Sequence, residues 1–94
     1  MGEVVTVRVR IKGRVQGVWY RGWTVDEARR LGLAGWVRNR LDGSVEAVFS
    51  GPKSAVHTMI DNCWQGPPAA RVSAITEQPD TEPVGPGFRQ APTE

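Results

Sequence analysis

Little in this chain is available for redox or metal chemistry: its 94 residues hold one cysteine, Cys63, and one histidine, His57. A lone cysteine rules out a disulfide within the chain, and one thiol with one imidazole cannot make an ordinary zinc site. No metal and no cofactor are therefore expected. No apolar run approaches the roughly 18 residues of a membrane-spanning helix, so no membrane association of that kind is expected. Met1-Gly2-Glu3 offers no basic stretch ahead of an apolar one, so no secretory leader is expected and the cytoplasm is the expected compartment. There are no internal repeats. The length suits one core and not two, so a single domain over residues 1–94 is expected, with a monomer as the default.

Acidic residues are scarce in the first half. Residues 1–40 carry nine Arg or Lys against three acids, and residues 41–94 carry three against seven, for a net charge of +2. A basic half suits an anionic partner, either a phosphorylated metabolite or a nucleic acid. A solvated strand face bearing Arg8, Arg10 and Lys12 explains those three equally well. Charge narrows the sign of the partner and nothing more.

Periodicity gives the elements. Val5, Val7, Val9 and Ile11 alternate with Thr6, Arg8, Arg10 and Lys12, the period of a half-buried strand. A helix is predicted from about Gly22 to Leu31, with Thr24, Ala28 and Leu31 on one face, and Gly32 sits where a left-handed cap belongs. Trp23 falls off that face. Gly35–Asn39 reads as a second strand, Asp42-Gly43 as a hairpin turn, and Val45, Ala47 and Phe49 as the inward side of a third strand. Pro52 suits the first position of a second helix, on which Val56, Met59, Ile60, Cys63 and Trp64 follow helical spacing. Gly66-Pro67-Pro68 stops that helix, and Ala70–Glu77 is a weaker fourth strand. From Pro79 onward four prolines predict an extended tail in which only Val84 and Phe88 can dock. The core is thus expected over about 4–78 and the tail over 79–94. The order β-α-β-β-α-β is that of an α+β, ferredoxin-like sandwich, a four-stranded antiparallel sheet with two helices on one face.

Between the first strand and the first helix lies Gly13-Arg14-Val15-Gln16-Gly17-Val18-Trp19-Tyr20-Arg21. Glycines at its start and middle permit positive φ, which lets successive N–H groups converge. A helix N-terminus and the planar fork of Arg21 meet at the same place. The physical reading is an anion cradle built by the loop of Arg14, Val15, Gln16, Gly17, Val18, Trp19 and Tyr20, most plausibly for phosphate. A plain strand–turn–helix connection with solvated arginines is the alternative.

These residues closely resemble the acylphosphatase signature G-R-V-Q-G-V-x-[FY]-R, and all eight of its fixed positions match. A second stretch, Gly35-Trp36-Val37-Arg38-Asn39 to Gly43-Ser44-Val45 with Gly51 beyond, resembles that family's G-[FYW]-V-x-N-x-x-x-G-x-V pattern. Leu31-Gly32-Leu33 and Gly66-Pro67-Pro68-Ala69 extend the similarity to about residues 4–78. The resemblance implies a hydrolase of acyl phosphates in which Arg21 binds the phosphoryl group and Asn39 orients the attacking water. It also implies inorganic phosphate as product and competitive inhibitor. One position departs: many members carry a hydroxyl residue after that asparagine, and here it is Arg40.

The remaining chemistry-bearing residues read as structural. Cys63 lies on the apolar face of the second helix and His57 at its edge, as buried thiol and packing or surface residue. Trp36 and Trp64 read as core, and Trp19 and Tyr20 as the wall of a substrate pocket. Arg14 either screens the substrate or is solvated. Two other functions compete. One is a non-catalytic module binding carbamoyl phosphate or another anion. The other is a nucleic-acid-binding ferredoxin-like domain, disfavoured because the third strand offers only Phe49 for stacking and Phe49 shares the inward face.

Overall fold

A computed structural model describes residues 3–94. Met1 and Gly2, part of the stretch in which no leader is expected, lie outside the described residues. The chain runs β1 (Val4–Arg14), α1 (Tyr20–Arg30), β2 (Ala34–Asn39), β3 (Val45–Pro52), α2 (Lys53–Cys63), β4 (Arg71–Pro79) and β5 (Phe88–Gln90). Strand order is β4-β1-β3-β2-β5, with every neighbour antiparallel except β2 and β5. The α+β, ferredoxin-like class holds. The strand count is corrected from four to five and the sheet from antiparallel to mixed.

The fifth strand comes from the proline-rich tail. Gly35 N–H donates to Gly87 O, Ala91 N–H to Val37 O and Glu94 N–H to Asn39 O, so the tail covers the open edge of β2. Phe88 anchors it, 2% exposed and stacked on Phe49 with ring centroids 5.5 Å apart. Val84 is half-buried. A segment with one apolar anchor has no alternating pattern, which is why periodicity reads it as a tail.

Both helices pack on the face carrying Val9, Ile11, Val37, Val45, Ala47 and Phe49, the core of the molecule. Thr24 and Ala28 are fully buried in α1, as their spacing predicts. Helix α1 begins two residues before the expected Gly22. It ends in a Schellman motif: Leu33 N–H bonds Ala28 O, Gly32 N–H bonds Arg29 O, and Gly32 has φ 73°. Trp23 tilts against Tyr20, centroids 5.6 Å apart. Pro52 caps α2 from outside, at φ −56° and ψ 137°, rather than opening it. Trp64 is corrected from core to surface at 49% exposed. It lies just past the last turn, where the chain has already left the core.

Trp36 is also corrected. It lies half-buried on the other face of the sheet, with Arg38 and Arg8 over its ring at 4.7 and 5.5 Å. There Glu46, only 4% exposed, sits on the central strand β3 directly across from Arg10 on β1 and Arg38 on β2. Its carboxylate meets Arg8 and Arg38 at 2.8 Å, Arg40 at 3.4 Å and Arg10 at 3.6 Å. Asp80 adds a 2.7 Å contact to Arg8, Glu94 a 2.9 Å contact to Arg38, and Asp42 a 3.4 Å contact to Arg10. Arg8 and Arg10 are therefore tied into an ionic network, while Lys12 stays exposed and unpaired among the described residues.

Two stability outcomes follow from these contacts. Phe88→Ala should lower unfolding free energy by about 3–5 kcal/mol in denaturant titration, since a buried ring leaves a cavity and the edge strand loses its anchor. Burial alone would raise the Glu46 carboxyl, but hydrogen bonds and charge from Arg8 and Arg38 outweigh it and hold its pKa below the ordinary 4.5. A depressed folded pKa means the stabilisation is present above 4.5 and is lost as pH falls through the folded value. Glu46→Gln should cost about 2–3 kcal/mol near pH 7, because it leaves a half-buried arginine cluster without its central charge. It should also flatten the acid limb of the melting-temperature profile. Some slope should survive, since Asp42, Asp80 and Glu27 are likewise held low by their arginine, serine and backbone partners.

Candidate active site

The loop begins where β1 is forced to bend. The β1–β4 register shifts between Lys12 and Gly13, and a Cβ on Gly13 would lie 2.2 Å from Arg71 O. Only glycine lets the two strands approach so closely at that bulge. Beyond it Val15 buries its side chain completely and Val18 packs against the core, pinning the loop from below. Among residues 15–19, φ is positive at Gly17 (74°) and Trp19 (67°) and not at their neighbours. That alternation turns successive amides to one side, the geometry of an anion nest.

Trp19 is the one described non-glycine residue with positive φ, a strain of about 1–2 kcal/mol for a bulky side chain. It forms the N-cap of α1, with no side-chain hydrogen bond to the helix end and no acidic residue in the first turn. Among the described residues the amides of 15–19 make no backbone hydrogen bond. The positive end of α1 and the loop donors beside it are left without an internal acceptor. The Trp19 indole is 63% exposed and lies across Gly22, whose added Cβ would meet it at 2.1 Å.

Arg21 is the second residue of α1 and is half-buried. Among the described residues neither it nor exposed Arg14 makes an ion pair, in contrast to Arg8, Arg10, Arg38 and Arg40. Tyr20 is corrected as a pocket wall: its side chain is 1% exposed in the core and its hydroxyl donates to Cys63 O. Burial pushes its phenol well above the ordinary value. Only its backbone is left for the loop.

Asn39 ends β2, with a buried Oδ1 that has no hydrogen-bond partner. A buried acceptor without a donor costs about 1–3 kcal/mol, so the atom is in want of a ligand or a water. Next to it the chain makes a tight hairpin. Arg40 N–H bonds Ser44 O at 2.8 Å, Gly43 N–H bonds Arg40 O, and Gly43 has φ 94°. Asp42 Oδ1 accepts from the amide and hydroxyl of Ser44. The loop and this hairpin are joined by Gln16, whose Nε2 donates to Arg40 O and Ser44 O, each at 2.8 Å. That staple was not legible in sequence, because nothing local marks which carbonyls a side chain will reach.

Cys63 is buried and free, its thiol pushed up to about 12 chiefly by desolvation, so it is no nucleophile at neutral pH. His57 is exposed. Among the described residues no three His, Cys, Asp or Glu side chains come together in a manner that holds a metal ion. No helix there is long and apolar enough to cross a membrane. A cavity of about 530 Å³ lies between the open sheet face and the tail, lined by Trp36, Arg38, Glu82 and Arg89 among others. Among the described residues, Arg8 and Arg38 of its three arginines are matched by carboxylates and Arg89 is not, and the cavity includes no residue of the 13–21 loop.

The family model described as Acylphosphatase matches residues 7–90. The chain is 59% identical over 88 residues to an acylphosphatase of Rhodospirillum rubrum, covering 94% of this chain and 97% of that one. It is similar to the solved acylphosphatase of Coxiella burnetii, with a TM-score of 0.90, 32% identity and coverage of 94% and 93%. For that of Bacillus subtilis the TM-score is 0.87, the identity 33% and the coverage 95% and 99%.

Proposed function

The chain belongs to the acylphosphatase family, and from that membership we propose how its residues divide the reaction. It hydrolyses the carboxyl–phosphate anhydride of small-molecule acyl phosphates to a carboxylate and inorganic phosphate. The leaving carboxylate is a weak base, with a parent acid of pKa about 4, so it departs without a general acid. What remains is to hold the phosphoryl group, neutralise its charge and aim a water.

The amides of residues 15–19 and the uncapped start of α1 bind the nonbridging oxygens, and Arg21 supplies the charge-assisted fork. Asn39 accepts a hydrogen bond from the attacking water and sets it in line with the P–O bond to be broken. Water oxygen bonds to phosphorus, the anhydride P–O bond breaks, and its electron pair leaves on the carboxylate. The water's proton passes to a nonbridging phosphoryl oxygen. Asparagine does not titrate here, so it orients the nucleophile without serving as base. The observation that carries the reading is the buried, partnerless Oδ1 of Asn39, one residue before the Arg40 carbonyl to which Gln16 ties a loop of unused donors.

Residues 1–94 act on this reading as one domain, a cytoplasmic monomer that needs no metal or cofactor. Nucleic acid is not a partner, because the sheet arginines are spent on Glu46, Asp80, Asp42 and Glu94. Arg14 and Arg21, which make no ion pair among the described residues, stand at the phosphate loop beside its unused amides, which favours a compact anion there. A catalytic role is favoured over mere anion capture because the chain matches the acylphosphatase family over a span that includes both Arg21 and Asn39.

Two measurements test this. In steady-state hydrolysis of benzoyl phosphate, inorganic phosphate should inhibit competitively, and excess chelator should leave turnover unchanged. Noncompetitive inhibition, or activity restored only by added divalent metal, would overturn the proposed site. Separately, Arg21→Ala should weaken phosphate affinity about 10–150-fold, the worth of a charged hydrogen bond of about 1.5–3 kcal/mol, and abolish turnover with it. Arg21→Lys should recover little, since an ammonium lacks the planar fork. Asn39→Ala should cut turnover about 100-fold or more while phosphate affinity stays within about threefold, as expected for a contact made to the nucleophile. Equal loss of affinity in both alanine variants would make Asn39 a phosphate ligand instead.

A further inference from the structure

Gln16 stands in the middle of the phosphate loop, yet its amide is not free for phosphate. Both Nε2 hydrogens are committed, one to Arg40 O and one to Ser44 O, at 2.8 Å each. Two carbonyl acceptors also fix which way round the amide sits, since Oε1 in that place would face them without a proton. The two carbonyls are those that close the β2–β3 hairpin: Ser44 O already accepts from Arg40 N–H, and Arg40 O from Gly43 N–H. Gln16 takes the second lone pair of each. The hairpin therefore cannot shift against the loop without breaking both bonds.

Asn39 is the residue immediately before this hairpin, paired with Val45 immediately after it. Its own side-chain oxygen has no protein partner. The side chain of the following residue, Arg40, carries only donors, and its guanidinium lies 3.4 Å from Glu46 and not on Oδ1. Neither side chain thus holds the Asn39 amide through Oδ1. What is held is the backbone on which Asn39 stands, by Gln16 from the loop side and by Glu94 N–H bonded to Asn39 O from the tail.

We propose that the Gln16 side chain is a positioning group for hydrolysis, which sets the Asn39 side chain at its working distance from the phosphate loop and itself touches neither phosphate nor water, while the Gln16 backbone amide stays with the loop. The proposal rests on the water-holding role of Asn39. It assigns the loop two tasks: its backbone receives the substrate, and its one amide side chain measures the gap to the water holder. A looser gap lowers the fraction of bound substrate with water in line, so the loss falls on the catalytic step and not on binding.

The test is a double-mutant cycle on the full chain with benzoyl phosphate as substrate and inorganic phosphate as inhibitor. Gln16→Met keeps length and volume but has no donor. It should lower kcat about 10–50-fold with the phosphate inhibition constant within about threefold and a nearly unchanged circular dichroism spectrum. In the Asn39→Ala background the same substitution should change kcat less than about twofold, because there is no longer a side chain to place. Gln16→Glu is the second variant should Gln16→Met not fold. Its carboxylate faces two carbonyls at neutral pH, and when protonated it donates to one of them, so its kcat relative to wild type should rise as pH falls.

Wild-type kcat in Gln16→Met would overturn the proposal. So would parallel losses of kcat and phosphate affinity, which would make Gln16 part of the binding loop proper. Losses that multiply in the double variant would show that Gln16 acts independently of Asn39. The underlying reading fails by a different sign: near-normal turnover in Asn39→Ala alone overturns both, whereas failure of the Gln16 proposal alone leaves the Asn39→Ala loss intact.

Discussion

Glu46 is the contact on which the disposition of charge in this molecule depends. A single carboxylate on the central strand, shielded from water on a sheet face without helices, gathers Arg8 and Arg10 from β1, Arg38 from β2 and Arg40 from the hairpin. An isolated carboxylate there would be costly, and four half-buried guanidiniums would repel one another, so each arrangement requires the other. Asp80, Asp42 and Glu94 at the rim add further partners for Arg8, Arg10 and Arg38. The arginines left unpaired at the loop, Arg14 and Arg21, face no protein carboxylate. The sheet thus occupies its own arginines and leaves those of the loop free for an anion.

The same sheet explains how a backbone loop is held ready for an anion. Donors without acceptors are tolerable only at a surface, and a surface loop is ordinarily mobile. Here buried Val15, half-buried Val18 and the Gln16 staple hold it to the core and to the neighbouring hairpin. The left-handed strain at Trp19 is borne by the helix that begins there and by the glycine on which its ring lies. Preorganisation is what a reaction with a good leaving group needs, because no bond to the protein has to be made or broken.

The reaction calls for neither a deep pocket nor a perturbed acid. The anhydride supplies its own leaving group, and a phosphoryl oxygen takes the proton. Cys63 and Tyr20, the described groups whose ordinary values are most raised, lie in the core and gain their shifts from burial. Perturbation at those positions marks packing and not catalysis.

Most of the fold was legible from one strand of sequence. Alternating valines in β1, the Asp42-Gly43 turn, the glycine after Leu31 and the helical spacing of Val56 to Cys63 are local signals, because each depends on the chain's own period and caps. The stretches around Arg21 and Asn39 were legible for the same reason, as short contiguous motifs. Tertiary structure alone decided the rest. The tail became a fifth strand because the β2 edge needed partners for its backbone, and hydrogen bonds to main chain leave no residue pattern behind. Trp36 and Trp64 left the core, and Glu46 entered burial, because each depends on what neighbouring strands place above it. Tyr20 turned inward while Trp19 turned out, a choice made by one left-handed residue. Gln16 reached across to Arg40 and Ser44, 24 and 28 residues away, a pairing that exists only once the sheet has formed.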